Sequence, residues 1–256
     1  MRPRDSRRIR VTYIVQHHHR RRHLEWIIDA IDRDRFELSF ILLGETAPKW
    51  ISALEAASVP YYWLKYAGPE HLPALISDVC DLCRRLSPDL VHVHYGETLA
   101  GLLGAFFAGV PVRVYTRHHA SWPPGCVQPP REQTAKRVSE AGATHIVASD
   151  LLVRDVLLEE GVAPQKISVI HFGVDAKVYR DVASWKIEAA RKRFLPAGAG
   201  PVIGMVSRAV ELKGIQYVIP AFRKILDTCP NAILLLVNPV GPYCDEIARL
   251  LASELP

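Results

Sequence analysis

Arg208 and Lys213 stand five positions apart in SRAVELKG (207–214), between an apolar run that reads as a strand and a periodic run that reads as a helix. In an open α/β sheet, ligands bind beyond the carboxyl ends of the strands, and the N-terminus of the next helix adds partial positive charge. Two cations at such a junction, with Gly214 opening the helix, make a cradle for a diphosphate. Taken alone, R-x4-K-G also occurs in plain surface loops.

Histidines are the second chemical signal. His118 and His119 close VYTRHH (114–119), where a strand-end imidazole either meets a reacting group or merely hydrogen-bonds a neighbouring loop. His92 and His94 alternate in DLVHVH (89–94) and so share one face of their strand. His17, His18 and His19 with His23 could ligate a metal, but three consecutive side chains on extended backbone do not converge, and no Cys or carboxylate lies at supporting spacing. Cys80-x-x-Cys83 falls in the middle of a helical pattern and lacks the second pair that zinc needs, so it reads as a buried structural pair. No metal and no cofactor are expected.

The elements that must hold these residues follow from periodicity. Strands are expected at 10–15, 36–43, 60–65, 89–94, 112–116, 144–149 and 166–170, and helices at about 24–31, 47–58, 71–86, 98–108, 130–140 and 150–160. Strands that are apolar nearly throughout, separated by helices, indicate a parallel sheet covered on both faces. The expected fold class is therefore α/β, with a doubly wound domain over 1–175 and a connector with one helix over 176–200. A second unit over 201–256 follows, with strands at 202–207 and 232–237 and helices at 214–228 and 243–254. Two strands with two helices bury too little apolar surface to stand as a complete Rossmann-like domain.

The 256 residues are 49% hydrophobic and 23% charged, which excludes disordered and fibrous classes. No run reaches the roughly 18 to 20 apolar residues that span a bilayer. Five scattered cysteines and no signal-peptide pattern favour a reducing cytoplasm. The first 23 residues hold eight arginines against Asp5, more than enough to account for the net charge of +5. Such a cluster is either a solvated terminus or an anion-binding arm, the latter giving peripheral contact with an anionic membrane.

In order and spacing, PDLVHVH (88–94), VYTRHH (114–119), ATHIVASDLLVRDVLLEEGVAPQKISVIHFGVD (143–175) and IGMVSRAVELKG (203–214) resemble the GT4-type retaining glycosyltransferases. The resemblance implies the GT-B fold, in which two Rossmann-like domains face a cleft, the second incomplete in this chain. It implies a nucleotide-sugar donor, a carbohydrate (glycan), lipid-linked or small-molecule acceptor, and no nucleic acid. It places His118 at the family's catalytic cleft histidine, with His119 its rival, and His94 on the cleft floor. Arg208, Lys213 and Gly214 fall at the donor diphosphate, and Gly173 and Asp175 in the interdomain turn. The chain departs from the family at Phe172, commonly Asn; at Asn238, usually Gly; and in the first loop, QHHHRRRHLEW (16–26), which lacks paired glycines. The family's E-x7-E pair would lie beyond Pro256. Two other functions stay open: a non-catalytic or split-domain fragment that binds a glycan or partner chain, and a GT-B-type nucleotide-sugar epimerase.

Overall fold

The computed structural model describes residues 7–16, 22–46, 51–66, 68–94, 98–120, 130–237 and 239–254. The chain divides into two compact units, Met1–Asp175 and Ala176–Pro256.

Unit one holds strands β1 (Ile9–Gln16), β2 (Phe36–Gly44), β3 (Tyr61–Lys65), β4 (Leu90–His94), β5 (Val112–Arg117), β6 (His145–Ala148) and β7 (Ile167–Val169). They join in one sheet, order β3-β2-β1-β4-β5-β6-β7, and every pair is parallel. Helices α1 (Arg22–Ala30), α2 (Ile51–Ala56), α3 (Leu72–Leu86), α4 (Thr98–Phe107), α5 (Pro130–Gly142) and α6 (Leu151–Glu159) make the crossovers. Side chains alternate between the two faces. Val11, Tyr13, Val15, Leu38, Phe40 and Leu42 pack with Leu24, Ile28 and Leu54 of α1 and α2. Ile14, Ile41, Leu43, Val91 and Val93 face the opposite core, built with α3, α4 and α6. The doubly wound expectation thus holds element by element. The helix expected at 47–58 has its described turns at Ile51–Ala56, positions 47–50 lying outside the described residues.

The described arginines of the basic N-terminus are divided between the two ends of β1. Arg7 and Arg10 pair with Asp89 at 2.6 and 3.8 Å, and Arg8 with Glu37 at 3.4 Å, all at the amino-terminal edge of the sheet. Asp89 is held below the usual carboxylate range, chiefly by the Arg7 hydrogen bond. Arg22 begins α1, beyond the other end of β1. Arg2, Arg4, Arg20, Arg21 and His17–His19 lie outside the described residues.

Unit two opens with α7 (Lys177–Arg180) and α8 (Ser184–Phe194), two helices where the connector was expected to hold one. Strands β8 (Val202–Val206) and β9 (Ile233–Val237) pair in parallel. Helices α9 (Ile215–Leu226) and α10 (Cys244–Glu254) close a small core around Ala209, Ile215, Ile219 and Ile247. Val202, Ile203 and Val206 remain exposed, Val206 at 77%. Among the described residues no helix is long and apolar enough to cross a membrane.

Helices α3 and α4 meet at Gly104, where an added Cβ would lie 2.6 Å from Val79 Cγ1 and 2.9 Å from the Ile76 carbonyl oxygen. The Ile76 carbonyl is backbone and cannot rotate away. Gly104→Ala is therefore expected to destabilise unit one by about 1–3 kcal/mol through overpacking. Val79→Ala in the same chain should recover part of that loss, because it clears the nearest contact. Urea unfolding of the two single variants and the double variant checks this; additive losses would contradict it.

Candidate active site at the carboxyl edge of the first sheet

Strand order reverses between β1 and β4, so the crossovers on either side leave to opposite faces and open a crevice at the carboxyl ends. The aromatic side chains that gather there come from four separate stretches. His94 ends β4, His118 follows β5, His23 lies in the first turn of α1, and Phe172 follows β7. The His94 and His118 rings are 5.4 Å apart, and His23 lies 6.2 and 6.5 Å from them. Phe172 stacks on His118 at 5.3 Å with planes only 9° apart, and meets His23 edge-on at 5.2 Å.

The floor beneath is continuous with the core. His92 and His94 follow the alternation read from the sequence, with centroids 4.1 Å apart, and Tyr13 lies 5.1 and 5.5 Å from them. His92 Nε2 shares a 2.7 Å hydrogen bond with Thr116 Oγ1, which links β4 to β5 one step before the histidine loop. Burial pushes His92 down to about 3. Burial also holds His94 well below the ordinary 6.5, with His92, His118 and His23 adding to it. The floor is thus made of neutral imidazoles, able to exchange hydrogen bonds without carrying charge. Among the described residues no group of three or more His, Cys, Asp or Glu is arranged to hold a metal ion.

Alternation along β5 also decides where Arg117 goes. Thr116 and His118 share one side; Arg117 turns to the other and is buried at 6% exposure. Its Nε donates to the His119 carbonyl at 3.0 Å and its Nη2 to the Ala120 carbonyl at 2.9 Å. The same guanidinium reaches Glu140 of α5 at 3.3 Å and both carboxylate oxygens of Glu160, which Lys136 also contacts. Burial pushes the Glu160 carboxyl up, but hydrogen bonds from Arg117 and Lys136 outweigh it and leave it below its ordinary value.

The other expected positions are placed less tellingly. His119 is exposed and, among the described residues, makes no ring contact, its carbonyl being what Arg117 holds. Gly173 and Asp175 lie exposed in the turn after β7, and a Cβ at Gly173 would meet nothing within 4 Å. His171 Nδ1 donates to the Ser149 carbonyl at 3.1 Å and ties that turn to the end of β6. Cys80 and Cys83 are both buried within α3 as free thiols, and burial pushes Cys83 up to about 12.

In unit two, Arg208 follows β8 by two residues, and Lys213 ends the 3-10 turn Glu211–Lys213 immediately before Gly214. Both cations are exposed, and among the described residues neither enters a salt bridge. Gly214 is left-handed, at φ 72° and ψ 17°, and caps both the turn and the start of α9. The loop is clamped from β9: Ala209 N donates to the Val240 carbonyl and Tyr243 N to the Ala209 carbonyl, each at 3.0 Å. Asn238 lies outside the described residues.

Sequence reading missed His23 as a site residue, and Phe172 figured only as a departure. An apolar ring at the second position in HFGVD was the available signal. The neutral histidine floor has a thermodynamic consequence. Unfolded imidazoles take up protons below about 6.5 while His92 stays neutral down to about 3, so stability is complete above pH 6.5 and declines as pH falls toward 3. At pH 5.5 each such histidine should cost about 1.4 kcal/mol. Glu140, raised by burial, gains stability on protonation and offsets this only at the acid end. Urea midpoints should fall between pH 7.5 and 5.5, and less so in His92→Gln; an unchanged difference in that variant would contradict the assignment.

A relative from Streptomyces kanamyceticus, a 2-deoxystreptamine glucosyltransferase, is 30% identical over 194 residues, covering 71% of this chain and 50% of that protein. The chain thus spans half the length of that curated relative. Among solved structures, Anabaena HepE in complex with UDP-glucose superposes with TM-score 0.74 at 20% identity, over 96% of this chain and 66% of that one. A UDP-GlcNAc 2-epimerase from Neisseria meningitidis gives TM-score 0.60 at 16% identity, over 96% and 71%. These likenesses give the fold, that of the GT-B glycosyltransferases, of which the chain spans about two thirds. Residues 8–178 match the family model Glycosyltransferase Family 4, and with most of unit one inside that match the chain belongs to this family.

Proposed function

We propose that the chain forms the acceptor-side domain and the diphosphate-holding start of the donor-side domain of a retaining transferase, which moves a sugar from a nucleotide-sugar donor to an acceptor hydroxyl. The observation that carries it is the gathering of His94, His118, His23 and Phe172 at the switch point of a family 4 chain. The complexes of HepE, a protein with this fold, with UDP-glucose and with UDP support a uridine nucleotide donor.

The chemistry then divides between the two units. Arg208 and Lys213, with the start of α9, stabilise charge on the departing nucleoside diphosphate. His118 touches the donor sugar or the reacting centre, and His94 offers a neutral hydrogen bond from the floor. His119, Gly173 and Asp175 take lesser parts, shaping the loop and the turn. The acceptor oxygen bonds to the anomeric carbon as the bond to phosphate breaks, and its proton passes to a phosphate oxygen on the same face. The protein supplies orientation and electrostatics, and needs no metal for that step.

The named acceptor of the Streptomyces relative favours a small-molecule acceptor over a lipid-linked glycan. The pairing of Arg7, Arg8 and Arg10 with acidic neighbours also removes part of the charge that favoured an anionic membrane. A cytoplasmic location remains the reading of the cysteine pattern. An epimerase function rests on fold likeness alone.

Arg208→Ala and Lys213→Ala should each weaken UDP binding by about 10- to 150-fold, the worth of about 1.5–3 kcal/mol for a charge-assisted contact. Calorimetric titration of UDP into the protein reads this, and unchanged affinity in both variants would sink the assignment. His118→Ala should leave UDP affinity within about two-fold while abolishing transfer to acceptor. Sugar-nucleotide turnover that needs no acceptor would instead favour the epimerase.

A further inference from the structure

We propose that Arg117 is a positioning residue, whose guanidinium fixes the loop that presents His118 to the reacting centre. The proposal rests on the role given to His118 above. A buried arginine between two helices has an ordinary explanation, as an ion pair that packs α5 and α6 onto β5. The donor pattern goes further than that. Two of its nitrogens are directed at main-chain carbonyls, those of His119 and Ala120, the two residues that follow His118. Its remaining contacts, to Glu140 and Glu160, lock the fork from behind, and Lys136 in turn braces Glu160.

The geometry makes the loop a strut held from both sides. On one side Thr116 Oγ1 meets His92 at 2.7 Å; on the other Arg117 holds residues 119 and 120. His118 is the residue between these two anchorages, and its ring lies flat on Phe172. A planar fork with donors at fixed angles can satisfy two adjacent carbonyls and two carboxylates at once, which the single ammonium of lysine cannot. The side chain that sets the histidine therefore never touches a substrate.

Side-chain NMR of the histidines in the whole protein tests this, with His118 assigned from His118→Asn. In Arg117→Lys, His118 should lose the ring-current shift imposed by Phe172 and move toward the position of an exposed histidine. His145, hydrogen-bonded to Ser168 at 2.9 Å, serves as the internal control and should not move. Transfer activity should fall at least ten-fold with UDP affinity unchanged, and millimolar guanidinium should restore part of it in Arg117→Ala. If Arg117→Lys fails to fold, Glu160→Gln loosens the same fork from its more exposed side, and should shift His118 in the same direction by a smaller amount. A folded variant with lowered thermal stability but unmoved His118 signals would overturn the proposal and leave Arg117 a packing ion pair. Full activity in His118→Ala would overturn the role of His118 instead, while the NMR shift would still decide what Arg117 holds.

Discussion

Because every strand of the first sheet runs the same way, all seven carboxyl ends lie along one edge, and the reversal of order between β1 and β4 parts the crossovers at a single place on it. Residues remote in sequence meet there for no other reason. His23 comes from the first turn of α1, His94 from the end of β4, His118 from just after β5, and Phe172 from beyond β7. Hydrogen bonds between parallel strands set the register, Tyr13 opposite His92 and Val15 opposite His94, and so set the depth of each ring.

The second theme is how the fold keeps polar groups inside without leaving charge there. Imidazoles packed at 4.1 to 5.5 Å from one another and from Tyr13 could not all be protonated in that space. Burial resolves this by holding His92 and His94 neutral. Across β5 the opposite solution is used: Arg117 keeps its charge, and two carboxylates and two carbonyls are assembled around it. One strand thus separates a neutral aromatic nest from an ionic one, and the two-residue period of its side chains is what keeps them apart.

Much of this was legible in the sequence, and the reason is local. Apolar runs such as FELSFILL and DLVHVH announce buried parallel strands, and the alternation of His92 with His94 follows directly from strand geometry. What was not legible depends on tertiary closure. Glu160 lies 43 residues from Arg117, and nothing in either segment announces the pairing. His23 was hidden in a histidine-rich stretch whose obvious reading was metal or nothing. The arginine cluster was legible only as charge: Arg7, Arg8 and Arg10 find acidic partners at one end of β1 and Arg22 begins α1 beyond the other, an arrangement that adjacency in sequence does not announce. The connector illustrates a smaller limit, since helices as short as Lys177–Arg180 leave no periodicity to detect.

In the second unit, the loop with Arg208 and Lys213 is hydrogen-bonded through Ala209 to the loop after β9, and a Cβ at Gly241 would lie 2.3 Å from the Ala209 carbonyl oxygen. Two segments separated by a whole strand-helix crossover thereby share one backbone geometry. A lineage cannot lengthen or reshape either loop without disturbing the other, and position 241 has no room for a side chain. Change that spares this shared backbone is confined to side chains that project from it, such as the exposed Arg208 and Lys213.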